Sequence, residues 1–164
     1  MKVNVRLMLE SDIPQIVAIE NCWSYLSKWG CKGYRKILQN SYIYYSLVAE
    51  TRGRFGASNS VSDTKIIGLA VLALLIDHGN LCNLIVLPQY LGKGIGQQLL
   101  YRCLKIAEQG YLSRVLLEVR HSNHRAVRFY QRNDFMITAH RKNYYSKPSE
   151  DAWVMERLIL SPGL

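Results

Sequence analysis

The sequence of 164 residues predicts a mixed α/β domain that is built mainly from strands and has flanking helices. Most of the chain consists of short segments in which apolar and polar residues alternate, the pattern of half-buried strands. One long segment with helical spacing lies between two such strands near the centre, so we expect these strands to be parallel and joined by a right-handed crossover. Because no repeat or long linker divides the chain, residues 1–164 are expected to form one domain.

The first half of the chain is predicted to contain two helices and four strands. Alternating apolar residues at 3–7 predict the first strand. Ser11 is expected to cap a helix that has Asp12 and Pro14 in its first turn. A Gly/Ser/Asn-rich segment at 53–63 predicts the mobile link of a hairpin. The other predicted elements are a short helix near 34–38 and strands near 42–51, 65–76 and 80–87.

The second half begins with the strongest helix of the sequence. Apolar residues recur at helical spacing over 95–107, and Gly110 is expected to end that helix. The next strand covers 114–120, and its alternation places Glu118 on the face opposite the apolar residues. Asn123 is expected to open a short helix. The last predicted strands lie near 135–142 and 152–160.

Composition limits the class of protein and of partner. A hydrophobic content of 49% is enough for a sizeable core, and a charged content of 20% argues against disorder. Lys and Arg number 21 and Asp and Glu 12, which gives a net charge of +9. This balance favours anionic partners, such as phosphorylated cofactors, nucleic acid or ribosomes.

Cysteine and histidine positions predict neither a disulfide framework nor a metal site. The four cysteines include no C-x-x-C pair, and we interpret Cys82 and Cys103 as core thiols. His121 and His124 are poorly spaced as metal ligands, so no metal is expected. The N-terminus has no apolar segment typical of a signal peptide. The longest apolar run, at 66–76, is shorter than the ~20 residues that span a bilayer, and we expect a cytoplasmic protein.

The segment PQYLGKGIGQQ at 88–98 places three glycines between a strand and a helix, where backbone N–H groups favour an anion. A P-loop does not fit, because Gly94 stands where Ser or Thr should follow Lys93. A dinucleotide fingerprint is weakened because Gln97 replaces its last glycine, although Glu118 stands where a ribose-binding acid is expected. A turn shaped only for packing is a further alternative.

Residues 88–96 resemble the P-x-Y-[Q/R]-x-[K/R]-G-x-G motif of the GNAT acetyltransferase family, with Leu91 in place of Gln or Arg. The segment LLEVRHSNHRAVRFYQRNDF at 116–135 resembles the RimI branch of that family, the ribosomal-protein-alanine N-acetyltransferases, with Asp134 in place of a usual glycine. LCNLIV at 81–86, RKNYY at 141–145 and EDA at 150–152 extend the similarity.

The resemblance implies the GNAT fold, a largely antiparallel sheet of about seven strands with a central parallel β–α–β unit that binds acetyl-CoA. It implies an enzyme that transfers acetyl directly to the N-terminal alanine of a small-subunit ribosomal protein. Asn123 is expected to contact the cofactor, although its position is equally typical of a helix cap. The other implied cofactor-binding residues are Leu84, Ile85 and Val86 along the pantetheine arm, and Gly92, Lys93, Gly94, Ile95, Gly96 and Gln97 around the pyrophosphate.

The resemblance also implies the catalytic groups. Glu118 is the expected base, acting through water, and its alternative role is an ion pair with Arg120 or another nearby arginine. Tyr130 is the expected acid for the leaving thiolate. Tyr144 and Tyr145 are expected to hold the acceptor peptide, or else only to pack a hairpin. An acyl-cysteine route through Cys82 is disfavoured, because an apolar strand would raise its pKa.

Two other functions stay open from the sequence. One is a GNAT enzyme that acetylates a small amine or an internal lysine. The other is an inactive, basic module that binds RNA or ribosomes and keeps only the GNAT shell. Arg125, Arg128 and Arg132 share one helix face and are candidates for contact with ribosomal RNA or an anionic cofactor.

Overall fold

The computed structural model describes residues 1–53 and 63–159. The predicted link at 53–63 lies outside the described residues except for its two ends, which belong to strands. The elements follow the predicted order, and several extend beyond the predicted bounds. The strands are β1 (Val3–Leu7), β2 (Tyr44–Gly53), β3 (Asp63–Leu74), β4 (His78–Val86), β5 (Arg114–Arg120), β6 (Met136–Ser146) and β7 (Ser149–Leu158), and the helices are α1 (Ile13–Asn21), α2 (Gly30–Gln39), α3 (Ile95–Gln109) and α4 (His124–Gln131).

The seven strands form one sheet in the order β1-β2-β3-β4-β5-β7-β6. β1 pairs antiparallel with β2, and β7 pairs antiparallel with both β5 and β6. β4 and β5 are parallel, with His78 opposite Arg114, and α3 connects them. The prediction of a mixed α/β fold with a central parallel β–α–β unit is therefore confirmed.

Contacts divide the chain into two compact units, each formed from two stretches of sequence. The first unit comprises Met1–Leu72 and Asn83–Cys103, and the second comprises Ala73–Cys82 and the chain from Leu104 onward. Each has an apolar core that the periodicity largely anticipated. Buried core residues of the first unit include Ile16, Ile67, Leu69, Leu99 and Leu100, and those of the second include Ala107, Val115, Leu117, Phe135 and Met155. A single domain over residues 1–164 stays a prediction.

The start of α1 differs from the prediction. A short 3₁₀ turn covers Glu10–Asp12, and Asp12, not Ser11, precedes the helix. The predicted cap by Ser11 is wrong because Asp12 organises this turn. Its carboxylate accepts a hydrogen bond from Leu9 N–H at 2.8 Å and lies 2.7 Å from the Arg6 guanidinium.

Arg6 is the centre of a partly buried charge network in the first unit. Besides Asp12, it contacts Glu50, with Arg6 Nε 2.7 Å from Glu50 Oε2. Asn4 donates a further hydrogen bond to Glu50 at 3.0 Å. Burial opposes ionisation of Asp12 and Glu50, but the hydrogen bonds they accept and the charge of Arg6 outweigh it and lower the pKa of both carboxyls. The ionised forms of these two carboxylates are thus stabilised by the same cation, Arg6.

A third buried carboxylate, Glu20, explains why α2 begins earlier than predicted. Glu20 is 1% exposed and accepts hydrogen bonds from Trp29 N–H and Gly30 N–H, both at 3.1 Å. Tyr34 donates its hydroxyl to Glu20 at 2.8 Å, and burial together with that carboxylate raises the pKa of Tyr34. The Glu20 carboxylate therefore fixes the first turn of α2 to the end of α1.

Asp134 lies in the turn after α4 with φ at 62°, a conformation that glycine adopts at lower cost. Its carboxylate is 82% exposed and 3.8 Å from Arg157, a contact that contributes little to stability. We expect Asp134→Gly to raise the free energy of unfolding by about 0.5–1 kcal/mol, measured by urea denaturation. Asp134→Ala, which keeps the Cβ, is the control and should destabilise. A lower stability for the glycine variant would contradict the strain argument.

Candidate active site

The glycine turn in the first unit has the backbone shape that requires glycine. Gly92 and Gly94 have φ of 75° and 77°. A Cβ added at either residue would meet no atom within 4 Å, so their conformation, and not a lack of space, explains the choice of residue. The alternative of a turn whose glycines serve only packing is therefore not favoured at these two positions.

Two lysines give this turn a positive environment. Lys93 Nζ lies 5.1 Å from the centre of the Tyr90 ring, and Lys65 Nζ lies 5.8 Å from the same ring. Lys93 was predicted to contact the cofactor, whereas Lys65 comes from β3 and the sequence did not identify it. Two ammonium groups near the Tyr90 ring give this turn a positive charge that favours an anionic ligand.

Gly68 in β3 allows the start of α3 to pack closely. A Cβ at this residue would lie 3.0 Å from the Ile85 carbonyl oxygen, 3.2 Å from Leu99 and 3.3 Å from Ile95. A larger residue would displace the first turn of α3 or the end of β4. Sequence reasoning missed Gly68, although a glycine within an apolar strand is the known signal of a close approach.

The end of β4 carries Leu84, Ile85 and Val86, whose backbone was predicted to pair with the pantetheine arm. Trp23 donates its indole N–H to the Val86 carbonyl at 3.2 Å. A carbonyl has two lone pairs, so pairing at Val86 would use the second lone pair or the backbone N–H. The sequence had not indicated a role for Trp23.

Glu118 in the second unit forms an ion pair that was only partly anticipated. Its side chain is 18% exposed, and Oε1 lies 3.5 Å from Arg141 Nη1. Arg120, the partner considered first, binds Glu150 instead at 3.1 Å. The structure is therefore compatible with both roles considered for Glu118, as partner in an ion pair and as catalytic base.

Tyr144 and Tyr145 contact each other edge to face, with ring centres 5.0 Å apart and planes at 89°. Tyr144 also lies 5.5 Å from the Arg141 guanidinium. Burial and the charge of Glu118 raise the pKa of Tyr144. Burial, followed by the neighbouring Tyr144, raises the pKa of Tyr145 to about 12. Both phenols are thus protonated at neutral pH, and Tyr144 lies within the electrostatic influence of Glu118.

Tyr130 is buried in α4, with 8% exposure, and packs edge to face against Phe129 and Phe135 at 5.2 and 5.6 Å. These rings fix the orientation of the phenol. Asn123 caps α4, since its side-chain oxygen accepts a hydrogen bond from Ala126 N–H at 3.1 Å. The capping role of Asn123 is confirmed, and its contact with the cofactor stays a prediction.

The four cysteines differ in burial, with Cys22 and Cys31 exposed. Cys103 is fully buried as predicted, whereas Cys82 is only half-buried, which corrects its assignment as a core residue. Burial raises the pKa of the Cys82 thiol, and the charge of Glu118 adds to the effect. A thiol with a raised pKa is a poor nucleophile at neutral pH, so the argument against an acyl-cysteine holds.

Comparison with known families assigns the chain to a class of protein. The family model described as Acetyltransferase (GNAT) family matches residues 18–135. The chain belongs to the GNAT acetyltransferase family. It is therefore an acyltransferase that uses acetyl-CoA as its acetyl donor.

The chain is similar to proteins named as N-terminal acetyltransferases. The chain is 37% identical over 99 residues to the [ribosomal protein bS18]-alanine N-acetyltransferase of Haemophilus influenzae, covering 58% of this chain and 66% of the relative. It is 30% identical over 157 residues to an N-alpha-acetyltransferase of Saccharolobus solfataricus, covering 95% and 83%. The fold resembles the crystal structure of the Escherichia coli ribosomal-protein-S18-alanine N-acetyltransferase, with a TM-score of 0.79, 24% identity and coverage of 99% and 97%.

Among residues 1–53 and 63–159, no three His, Cys, Asp or Glu side chains are grouped so that they could bind a metal ion. In the same part of the chain, every helix is too short or too polar to cross a bilayer.

Proposed function

We propose that this GNAT enzyme transfers acetyl from acetyl-CoA to the α-amine of an N-terminal alanine in a ribosomal protein of the small subunit. The names of the relatives from Haemophilus influenzae and Saccharolobus solfataricus support an N-terminal amine as acceptor. The structural observation that carries the proposal is the cluster of Glu118, Arg141 and Tyr144, which combines a carboxylate with an aromatic side chain suited to a peptide.

Donor binding is assigned to residues of the first unit. Backbone N–H groups from Gly92 to Gln97 bind the pyrophosphate, and the ammonium groups of Lys65 and Lys93 add positive charge. The backbone of Leu84, Ile85 and Val86 pairs with the pantetheine arm. A main-chain N–H of this segment donates a hydrogen bond to the thioester carbonyl and stabilises negative charge that develops there.

Proton transfers are assigned to residues of the second unit. Acetyl-CoA supplies an acetyl group activated as a thioester. Glu118 accepts a proton from the acceptor amine through a water molecule, so that the nitrogen lone pair is free to attack. Tyr130 donates its phenolic proton to the sulfur of the leaving thiolate. Tyr144 and Tyr145 hold the first residues of the acceptor peptide.

The choice of an α-amine follows from its ordinary acidity. An α-amine has a pKa near 7.7–8.0, whereas that of a lysine side chain is about 10.4. A substantial fraction of α-amines is therefore neutral at pH 7, and one carboxylate acting through water is sufficient as base. Lysine would require a much larger shift of its pKa in the site.

Two predictions from the sequence accompany this proposal. We propose a cytoplasmic location, where newly made ribosomal proteins are encountered. Contact of Arg125, Arg128 and Arg132 with ribosomal RNA is compatible with the net charge of +9 and also stays a proposal.

The proposal is tested by following CoA release with a thiol reagent. The acceptors are a peptide that begins with alanine, the same peptide with a blocked N-terminus and an internal lysine, and a polyamine. Release with the free alanine peptide alone is the expected result. Release with only the lysine peptide or the polyamine would overturn the acceptor while keeping the enzyme class.

A further inference from the structure

Arg120 is a buried guanidinium at the end of β5, with 6% of the residue exposed. It donates hydrogen bonds to the Lys147 carbonyl at 3.0 Å and to the Pro148 carbonyl at 3.1 Å, both in the turn between β6 and β7. It also forms an ion pair with Glu150 at 3.1 Å. One side chain on β5 thus binds both the backbone of the β6–β7 turn and a carboxylate at the start of β7.

The same guanidinium lies against an aromatic ring. The Arg120 Cζ atom is 4.1 Å from the centre of the Tyr145 ring, within the range of a cation–π contact. Tyr145 in turn contacts Tyr144 edge to face. Arg120 therefore fixes Tyr145 directly and, through it, the ring of Tyr144.

Glu150 completes the arrangement. One oxygen of its carboxylate pairs with Arg120, and the other accepts a hydrogen bond from Ser122 N–H at 2.6 Å. These contacts lower the pKa of Glu150, first through the bond from Ser122, so it stays ionised and can pair with Arg120. The hairpin tip is consequently tied to the segment that leads into α4 as well as to β5.

We propose that Arg120 is a positioning residue for the acceptor peptide: it holds Tyr145 and Tyr144 in the orientation in which they bind the peptide. The inference rests on the proposed function, since it assigns peptide binding to these two tyrosines. Arginine suits the role because its planar fork can bond two carbonyls and a carboxylate while its face stacks on a ring. Lysine keeps the charge but has neither the fork nor the planar face.

The test compares Arg120→Lys with the control Arg102→Lys, which changes an exposed arginine of α3 in the same way. We expect Arg120→Lys to raise KM for the alanine peptide about tenfold, with KM for acetyl-CoA unchanged. Arg102→Lys should change neither constant. An unchanged peptide KM in Arg120→Lys, in an enzyme that still acetylates the peptide, would overturn the inference and leave the proposed function intact.

A double-mutant cycle separates positioning from a merely structural role. If Arg120 acts through Tyr145, Arg120→Lys should add less than about a twofold rise in peptide KM to Tyr145→Ala. An equal rise in peptide KM on Arg120→Lys in the wild-type enzyme and in Tyr145→Ala would overturn the proposal. If Arg120→Lys does not fold, Glu150→Gln replaces it and should raise peptide KM in the same direction. Failure of the wild-type enzyme to acetylate the alanine peptide would overturn both the inference and the proposed function.

Discussion

Glu118→Gln is expected to lower kcat for acetylation of the alanine peptide by about 100-fold or more, because glutamine cannot accept the amine proton. The side chain keeps its size, so acetyl-CoA should still raise the melting temperature as in the wild type. Glu10→Gln is a matched control, since Glu10 is 73% exposed and pairs only at the surface. Loss of less than tenfold would remove Glu118 from the catalytic role and favour its alternative role as the partner of Arg141.

Tyr130→Phe should give a comparable loss of kcat. Phenylalanine preserves the contacts with Phe129 and Phe135 but has no proton for the leaving thiolate. Tyr111→Phe is the control, because Tyr111 is 90% exposed. A thioester with a more acidic leaving thiol should restore part of the activity of Tyr130→Phe, since such a thiolate needs less protonation. If Tyr130→Phe kept a kcat near the wild-type value and the more acidic thioester gave no further gain, the assignment of Tyr130 as the acid would be contradicted.

Arg6→Met is expected to lower the free energy of unfolding by about 2–4 kcal/mol at pH 7. The change leaves Asp12 and Glu50, whose side chains are 7% and 11% exposed, without their cation. Arg35→Met is the control, because the Arg35–Glu10 pair is exposed at both ends and should contribute less than about 0.5 kcal/mol. Equal losses in the two variants, measured by urea denaturation, would contradict the network argument.

The same network predicts a dependence on pH. Asp12 and Glu50 have pKa values in the folded protein below their unfolded values, which are about 3.9 and 4.3. The stability they contribute is therefore fully present above about pH 5 and is lost as pH falls through the folded pKa values. In Arg6→Met the two carboxylates are unpaired, and protonation removes the penalty of burying them. The difference in the free energy of unfolding between wild type and Arg6→Met should become smaller as the pH falls from 7 to 3. A difference that stays constant over this range would exclude this explanation.

The sequence predicted the order of the elements because periodicity is a local property of the chain. The apolar spacing at 95–107 predicted α3, and alternation at 114–120 predicted β5 with Glu118 on the face opposite the apolar residues. The glycine turn was predicted as specially shaped, and Gly92 and Gly94 have the positive φ that explains it. The motif of this turn also led to the family.

The sequence did not predict the contacts between side chains far apart in the chain. Ser11 was a reasonable cap from local preference, but Asp12 precedes the helix, and its carboxylate pairs with Arg6 on β1. Glu118 lies on β5 and Arg141 on β6, and β7 lies between these two strands in the sheet. The pairing therefore depends on the order of the strands, and nothing near Glu118 in the sequence identified Arg141 as its partner.

By itself, the sequence determined which segments become strands and helices, most of the residues that form the core, and the special backbone shape of the glycine turn. These properties follow from spacing, turn chemistry and a motif of adjacent residues. Only the tertiary structure decided that Arg120 holds the β6–β7 turn, that Trp23 bonds to Val86, and that Glu20 binds the start of α2. Such pairings depend on register and distance in three dimensions, which no local pattern of residues encodes.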